Sequence, residues 1–242
     1  MTSNLTVVPG VLRLATSDLD ARPLFWNEGE TRLGYEPEAA AAVAAAMGLR
    51  LEWVYTDWGG RMDSVLGGES DGVWCGVSIT EARREILDFS APYAYFNESC
   101  VVRAGVPAAS PDDLRGRRIG AAEGSTNLEI VQGWAGVEAV AFTDQTDDIF
   151  TDLIEATAAG EIDGFVDDEP AMIPLAERDD RLAFGFSVQS RRPWGCGVAR
   201  GNVALVAALD DALARCTANG ELAAIWARHL PFLAFPLAPA GQ

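Results

Sequence analysis

The sequence contains no lysine: all 18 basic residues are arginine. Schiff-base chemistry and the phosphate-gripping P-loop both need that amine, so neither is available. Histidine is nearly as scarce. The single His229, near the carboxyl end, leaves almost no material for a His-based triad or for a metal site with several imidazole ligands. The four cysteines, Cys75, Cys100, Cys196 and Cys216, lie far apart and form no C-x-x-C pair, so their spacing shows neither a zinc site nor a thioredoxin-type motif. They are expected to be buried small residues, with a disulfide between two of them left open. No run of 18 or more apolar residues occurs, and no basic region followed by an apolar stretch opens the chain. Neither a membrane span nor a signal peptide is therefore expected, and the chain reads either as a cytosolic protein or as a mature, trimmed one.

Positive charge is also in short supply, with 36 acidic residues against 18 basic ones and a net charge of −18. Nucleic acid and anionic membrane surfaces are therefore poor partners, because binding to phosphates depends on neutralising them. What remains is an ordinary globular composition: 242 residues, 49% of them hydrophobic, enough for one large or two smaller cores.

Strand-like apolar runs alternate with helix-like segments throughout, the pattern of an α/β protein with largely parallel sheets. Strands are predicted at Val11 to Thr16, Leu51 to Tyr55, Val73 to Val77, Ser99 to Arg103, Arg117 to Ala122, Ala139 to Phe142 and Gly164 to Val166. Helices are predicted at Glu36 to Met47, Arg61 to Leu66, Thr126 to Trp134, Val203 to Thr217 and Glu221 to His229. One internal echo stands out. Glu69-Ser70-Asp71-Gly72-Val73-Trp74-Cys75-Gly76 is answered by Glu161-Ile162-Asp163-Gly164-Phe165-Val166-Asp167-Asp168, and Arg13-Leu14-Ala15-Thr16 by Arg118-Ile119-Gly120-Ala121. Two similar α/β lobes follow, with ligands expected beyond the carboxyl ends of the strands.

The polar exits of the echoed strands carry the candidate chemistry. Ser78 and Glu81 have capping-box spacing, which would open a helical turn at Ser78 and place Arg83 one turn on. Arg83 is either a two-pronged grip for a carboxylate or a surface partner of Glu81, Glu85 or Asp88. In the second half, Thr126 and Glu129 repeat that spacing after Glu123-Gly124-Ser125, making either an anion-attracting helix end or an ordinary capped helix. Asp167, Asp168 and Glu169 form either a solvated turn or a site for a cation such as an ammonium group. An Arg and a helix end for a carboxylate, with an acid for an ammonium, complement a free amino acid.

On these residues the chain resembles the solute-binding proteins of amino-acid ABC importers, from about Leu12 to Leu230. Gly76-Val77-Ser78-Ile79-Thr80-Glu81-Ala82-Arg83 and Asp88-Phe89-Ser90-Ala91-Pro92-Tyr93 are similar to the family's G-x-S-I-T-x-x-R and D-F-S-x-P-Y signatures. Gly124-Ser125-Thr126, Asp163 to Asp168 in the D-A-x-x-x-D pattern, and Asp113-Leu114-Arg115-Gly116 match further. The resemblance implies the type II periplasmic-binding-protein fold, two α/β lobes joined by two hinge strands, with lobe 1 at 1–99 and 197–242 and lobe 2 at 100–196. It implies that Arg83 and the amide or hydroxyl groups of Thr126, next to Ser125, hold the ligand's carboxylate. Gly76 and Ser78 would add main-chain or hydroxyl contacts, and Asp168 would bind the ammonium.

The first loop, Ser17 to Phe25, departs from the family's aromatic residue before Pro-Pro-Phe. Asp18 and Asp20 occupy the region over the ligand's side chain, which points to a polar or cationic side chain unless they pair with Arg22 at the surface. Trp58 is either an aromatic wall for the ligand or part of the core; Trp74 is expected in the core. The implied function is a non-enzymatic, monomeric extracytoplasmic protein that captures an amino acid between its lobes and delivers it to ABC transporter membrane subunits, with no cofactor, no metal and no nucleic acid. This localisation supposes an export signal absent from the chain. The rivals are a cyclohexadienyl-dehydratase-like lyase on the same fold and the ligand-sensing domain of a receptor.

Overall fold

The computed structural model describes residues 5–143 and 148–235. In chain order these form β1 (Val11–Thr16), β2 (Trp26–Glu28), β3 (Thr31–Leu33), α1 (Tyr35–Ala46), β4 (Arg50–Tyr55), α2 (Gly60–Leu66) and β5 (Gly72–Val73). There follow α3 (Glu81–Arg84), β6 (Leu87–Phe89), β7 (Ala94–Arg103), β8 (Arg118–Ala122), α4 (Thr126–Gln132), β9 (Glu138–Phe142) and α5 (Ile149–Ala159). The chain continues through β10 (Gly164–Asp168), α6 (Glu169–Arg178), β11 (Leu182–Trp194), β12 (Gly197–Ala199), α7 (Val203–Ala218) and α8 (Glu221–His229). Among the described residues no helix is long and apolar enough to cross a membrane.

The chain divides into two compact units, one drawn from 1–18, 25–95 and 192–242, the other from 19–24 and 96–191. The chain passes from one to the other within β7, between Tyr95 and Phe96, and within β11, between Arg191 and Arg192. Both points lie a few residues before the expected boundaries, and Leu19–Leu24 groups with the second unit. The first unit holds a five-stranded sheet of order β4-β1-β5-β12-β6; the second holds one of order β11-β7-β10-β8-β9. In the first, β1 runs parallel to β4 and β5 while β12 is antiparallel to β5 and β6. In the second, β8 runs parallel to β9 and β10 while β7 is antiparallel to β10. Helix α1 buries Ala39, Ala40, Val43 and Ala44 and packs on both α7 and α8, where the Cys216 thiol meets the Ala42 carbonyl; alanines leave the backbones room to approach.

The sequence echo is reproduced bond for bond. In β1 and β5, Leu14 stands opposite Gly72 and Ala15 opposite Val73; in β8 and β10, Ile119 stands opposite Gly164 and Gly120 opposite Phe165. The Asp71 carboxylate accepts the Arg13 amide at 2.7 Å, as the Asp163 carboxylate accepts the Arg118 amide at 3.0 Å. The carbonyls of Arg13 and Arg118 take back the amides of Asp71 and Asp163 at 2.8 and 2.7 Å. Even the guanidinium groups agree, with Arg13 donating to the Glu69 carbonyl and Arg118 to that of Glu161. Glycine is needed at both strand starts. A Cβ at Gly72 would lie 2.8 Å from Cys196 Sγ, and one at Gly164 would lie 2.5 Å from the Val101 carbonyl, because an antiparallel neighbour crowds each edge.

Several local expectations need correction. Ser78 does not cap a helix. It forms an extended bridge with Trp194, and Thr80 caps α3 by accepting the Arg83 amide at 3.2 Å. Likewise Ser125, and not Thr126, caps α4, accepting the Leu128 amide at 3.1 Å. The strand expected over Val73 to Val77 pairs only at Gly72 and Val73, although Trp74, Cys75 and Val77 stay buried. Helices α5 and α6 and the long β11 were not anticipated. All four cysteines are buried and unbridged.

Candidate functional site

In the first unit the loop after β5 is set by packing as much as by turn chemistry. Gly76 has φ +61°, and a Cβ there would meet the Trp194 ring at 3.2 Å. Only glycine combines that conformation with so close a neighbour. Its amide donates at 2.8 Å to Glu36 Oε2 at the start of α1, and the same oxygen accepts the Tyr93 hydroxyl at 2.9 Å. Tyr93 in turn stacks on Trp74, centroids 4.1 Å apart and planes 9° from parallel. Trp74 is thus core, as expected. Two residues beyond Gly76, the Ser78 carbonyl accepts Arg83 Nη1 at 2.9 Å, which turns the Arg83 guanidinium back over the strand exit. Its neighbour Arg84 is exposed and lies against the Phe89 ring, 5.9 Å from its centroid.

Glu36 was not among the expected site residues, since in sequence it looks like one more acid in the first turn of a solvated helix. Burial pushes its carboxyl up from the usual range to about 7, against the pull of the Gly76 amide, the Tyr93 hydroxyl, the Arg32 charge and Trp74. A carboxyl that holds its proton more tightly folded than unfolded contributes stability below its unfolded value of 4.5 and loses that contribution as pH rises toward 7. Urea melts should show the wild type losing about 3 kcal/mol across this window relative to Glu36→Gln, which cannot titrate. Parallel pH profiles for the two proteins would show that the carboxyl is not perturbed.

Trp58 precedes α2, half-buried, with the Arg61 guanidinium stacked on its ring at 3.3 Å from the centroid. Arg61 is buried, donating from Nε to the Trp58 carbonyl at 2.7 Å and from Nη1 to the Cys75 carbonyl at 3.3 Å. Sequence reading missed this residue too, because nothing local distinguishes it from a surface arginine.

In the second unit Ser125, Thr126 and Asn127 are all buried at the start of α4, where Ser125 Oγ also donates to the Ala122 carbonyl at 2.6 Å. Gly124, at φ +68°, turns the chain out of β8 into this helix. At the end of β10 the antiparallel register sets Asp168 opposite Glu98 and Asp167 opposite Ser99 on β7. Asp167 Oδ1 accepts the Asp168 amide at 2.7 Å, and its carboxyl is pushed up to about 6, chiefly by burial and further by the Glu98 charge. The Asp168 side chain, although at the start of α6, makes no cap bond there. Glu169 is bound by Asn97, Ser99 and Ser187, and Glu98 by Ser190, so both have hydroxyl or amide donors.

Asp20 requires a correction. It also lies in the second unit, where Arg22 Nε donates to both of its oxygens, at 2.9 and 3.1 Å. Asp18, in the first unit, takes the Asn27 amide. The surface pairing weighed for Asp20 is the one observed, so its charge creates no requirement for a donor on a ligand.

Comparison with known proteins identifies the family. The profile of the bacterial extracellular solute-binding proteins, family 3, matches residues 12–232. The chain belongs to that family. Among curated members, the L-cystine-binding protein TcyJ of Escherichia coli K12 is 30% identical over 197 residues, covering 79% of this chain and 72% of its own. The lysine/arginine/ornithine-binding periplasmic protein of the same organism is 25% identical over 232 residues, covering 90% and 86%. Among solved structures, an ancestral arginine-binding protein bound to arginine superposes with a TM-score of 0.82 at 26% identity, covering 91% of this chain and 98% of its own. The same protein bound to glutamine gives 0.83. These matches establish the type II periplasmic-binding-protein architecture and place the chain among binding proteins; family 3 is described as extracellular.

Proposed function

We propose that this protein captures a free amino acid outside the cytoplasmic membrane and delivers it to the membrane subunits of an ABC importer, as a monomer and without chemical transformation. Arg83 holds the α-carboxylate, aided by Ser125 and Thr126, with Gly76 and Ser78 adding polar contacts. Asp168 receives the α-ammonium, and Trp58 lies against the ligand's side chain. The observation that carries this reading is the tether from Arg83 to the Ser78 carbonyl, which fixes where the guanidinium lies beside a family-signature segment. The buried start of α4 supports it from the second unit.

A thermal-shift panel of the common amino acids, cystine and prephenate tests the proposal. At 100 times its dissociation constant the true ligand adds about 2.7 kcal/mol. For a chain of this length that raises the melting temperature by about 5 to 10 °C. A shift with prephenate and with no amino acid would favour a lyase-like relative instead.

A further inference from the structure

Glu36, in the first turn of α1, is only 1% exposed, and a carboxyl so deeply buried is costly unless it serves fixed donors. A single oxygen, Oε2, receives both the Gly76 amide at 2.8 Å and the Tyr93 hydroxyl at 2.9 Å. The residues after Gly76 are held from another direction. The Ile79 amide donates to the Pro193 carbonyl at 2.8 Å, the Val77 carbonyl accepts the Gly195 amide at 3.1 Å, and Ser78 bridges to Trp194. Gly76 is thus fixed between α1 on one side and residues 193–195 on the other, all within the first unit. Glycine is the residue that most needs such a hold, because at φ +61° nothing in its own side chain restrains it. Arg83 hangs from the same segment through the Ser78 carbonyl.

We propose that Glu36 is a positioning residue for the amino-acid site: by holding the Gly76 amide it sets the course of residues 76–78 and, through Ser78, the place of the Arg83 guanidinium. This rests on Gly76, Ser78 and Arg83 meeting the ligand, as in the functional reading above. What the role requires is an acceptor oxygen and not a charge, since an amide and a hydroxyl are neutral donors. Without that acceptor the Gly76 peptide is released to other conformations, and the ligand binds only the fraction that remains correctly arranged. Apparent affinity falls in proportion to that fraction. A lost hydrogen bond of ordinary net strength lowers it by about tenfold.

Calorimetric titration of the full chain, with the common amino acids and cystine as probes, tests this. For a probe that binds the wild type, Glu36→Met should weaken binding by about tenfold, because a side chain of similar size leaves the Gly76 amide without its acceptor. Glu36→Gln, whose amide oxygen can receive both donors, should restore the dissociation constant to within about threefold of wild type. Tyr93→Phe removes only the other donor, so it should lower the melting temperature while leaving the Gly76 bond and the affinity in place. A purely structural residue changes stability but not the dissociation constant of the folded protein. Wild-type affinity in Glu36→Met therefore overturns the inference, as does a loss in Glu36→Gln or Tyr93→Phe equal to that in Glu36→Met; either result leaves amino-acid capture intact. If Glu36→Met does not fold, hydrogen exchange on the wild type decides. A Gly76 amide protected before any probe is added supports the inference, and one that exchanges like an exposed amide overturns it. Failure of every probe to bind the wild type would overturn the functional reading and this inference together.

Discussion

Arg83→Ala is expected to weaken binding of the amino acid found in the thermal-shift panel by a hundredfold or more. A two-pronged, charge-assisted contact to a carboxylate is among the stronger polar interactions in proteins, and losing one partner of such a pair costs roughly 3 kcal/mol or more. The adjacent Arg84→Ala provides the control. Arg84 is exposed and packs on Phe89, whereas Arg83 is tied to the Ser78 carbonyl at 2.9 Å. Arg84→Ala should therefore leave the dissociation constant within a few-fold of wild type. Both substitutions lie on the short helix α3, so general damage to that turn would lower both affinities alike. Equivalent calorimetric losses would remove Arg83 from its role as the carboxylate clamp.

Asp168→Asn should abolish measurable binding of α-amino acids, while Asp167→Asn should be tolerated. Adjacent strand residues are expected to face opposite sides of a sheet, and the register sets Asp167 opposite Ser99 and Asp168 opposite Glu98. Asp167 accepts the neighbouring amide, a bond that an asparagine oxygen reproduces, and burial already favours its neutral form. Removing the charge that meets an ammonium group has no such substitute and costs on the order of 3 to 5 kcal/mol. Equal losses at the two positions would point to a shared acidic site, such as one for a metal ion.

Much of this protein can be read from its sequence because the determining interactions are local or repetitive. The apolar run of β1, the Ala-rich α1 ended by Gly48, and α7 and α8 separated by Asn219 and Gly220 follow from patterns a few residues long. The echo around Asp71 and Asp163 is legible for a different reason. Each needs an aspartate to receive the amide of the neighbouring strand and a glycine where an antiparallel strand crowds the edge, so the same physics selects the same residues twice. The family signatures likewise single out Gly76, Ser78, Arg83 and Asp168, the residues on which the proposed function rests. What local patterns left undetermined are the features set by distant partners. Capping-box spacing allowed Ser78 to open a helix, but pairing with Trp194 holds it extended and passes the cap to Thr80. Helix α6 forms despite two prolines because Pro170 sits in the first turn, where a missing N–H costs nothing, and Ala171, Met172 and Leu175 are buried. Glu36 and Arg61 look like solvated charges until the fold buries them against Gly76 and Tyr93 in one case and Trp58 and Cys75 in the other. Local spacing can propose a turn or a charge, but whether water or another part of the chain satisfies it depends on residues far away in sequence, and only the tertiary structure decides that.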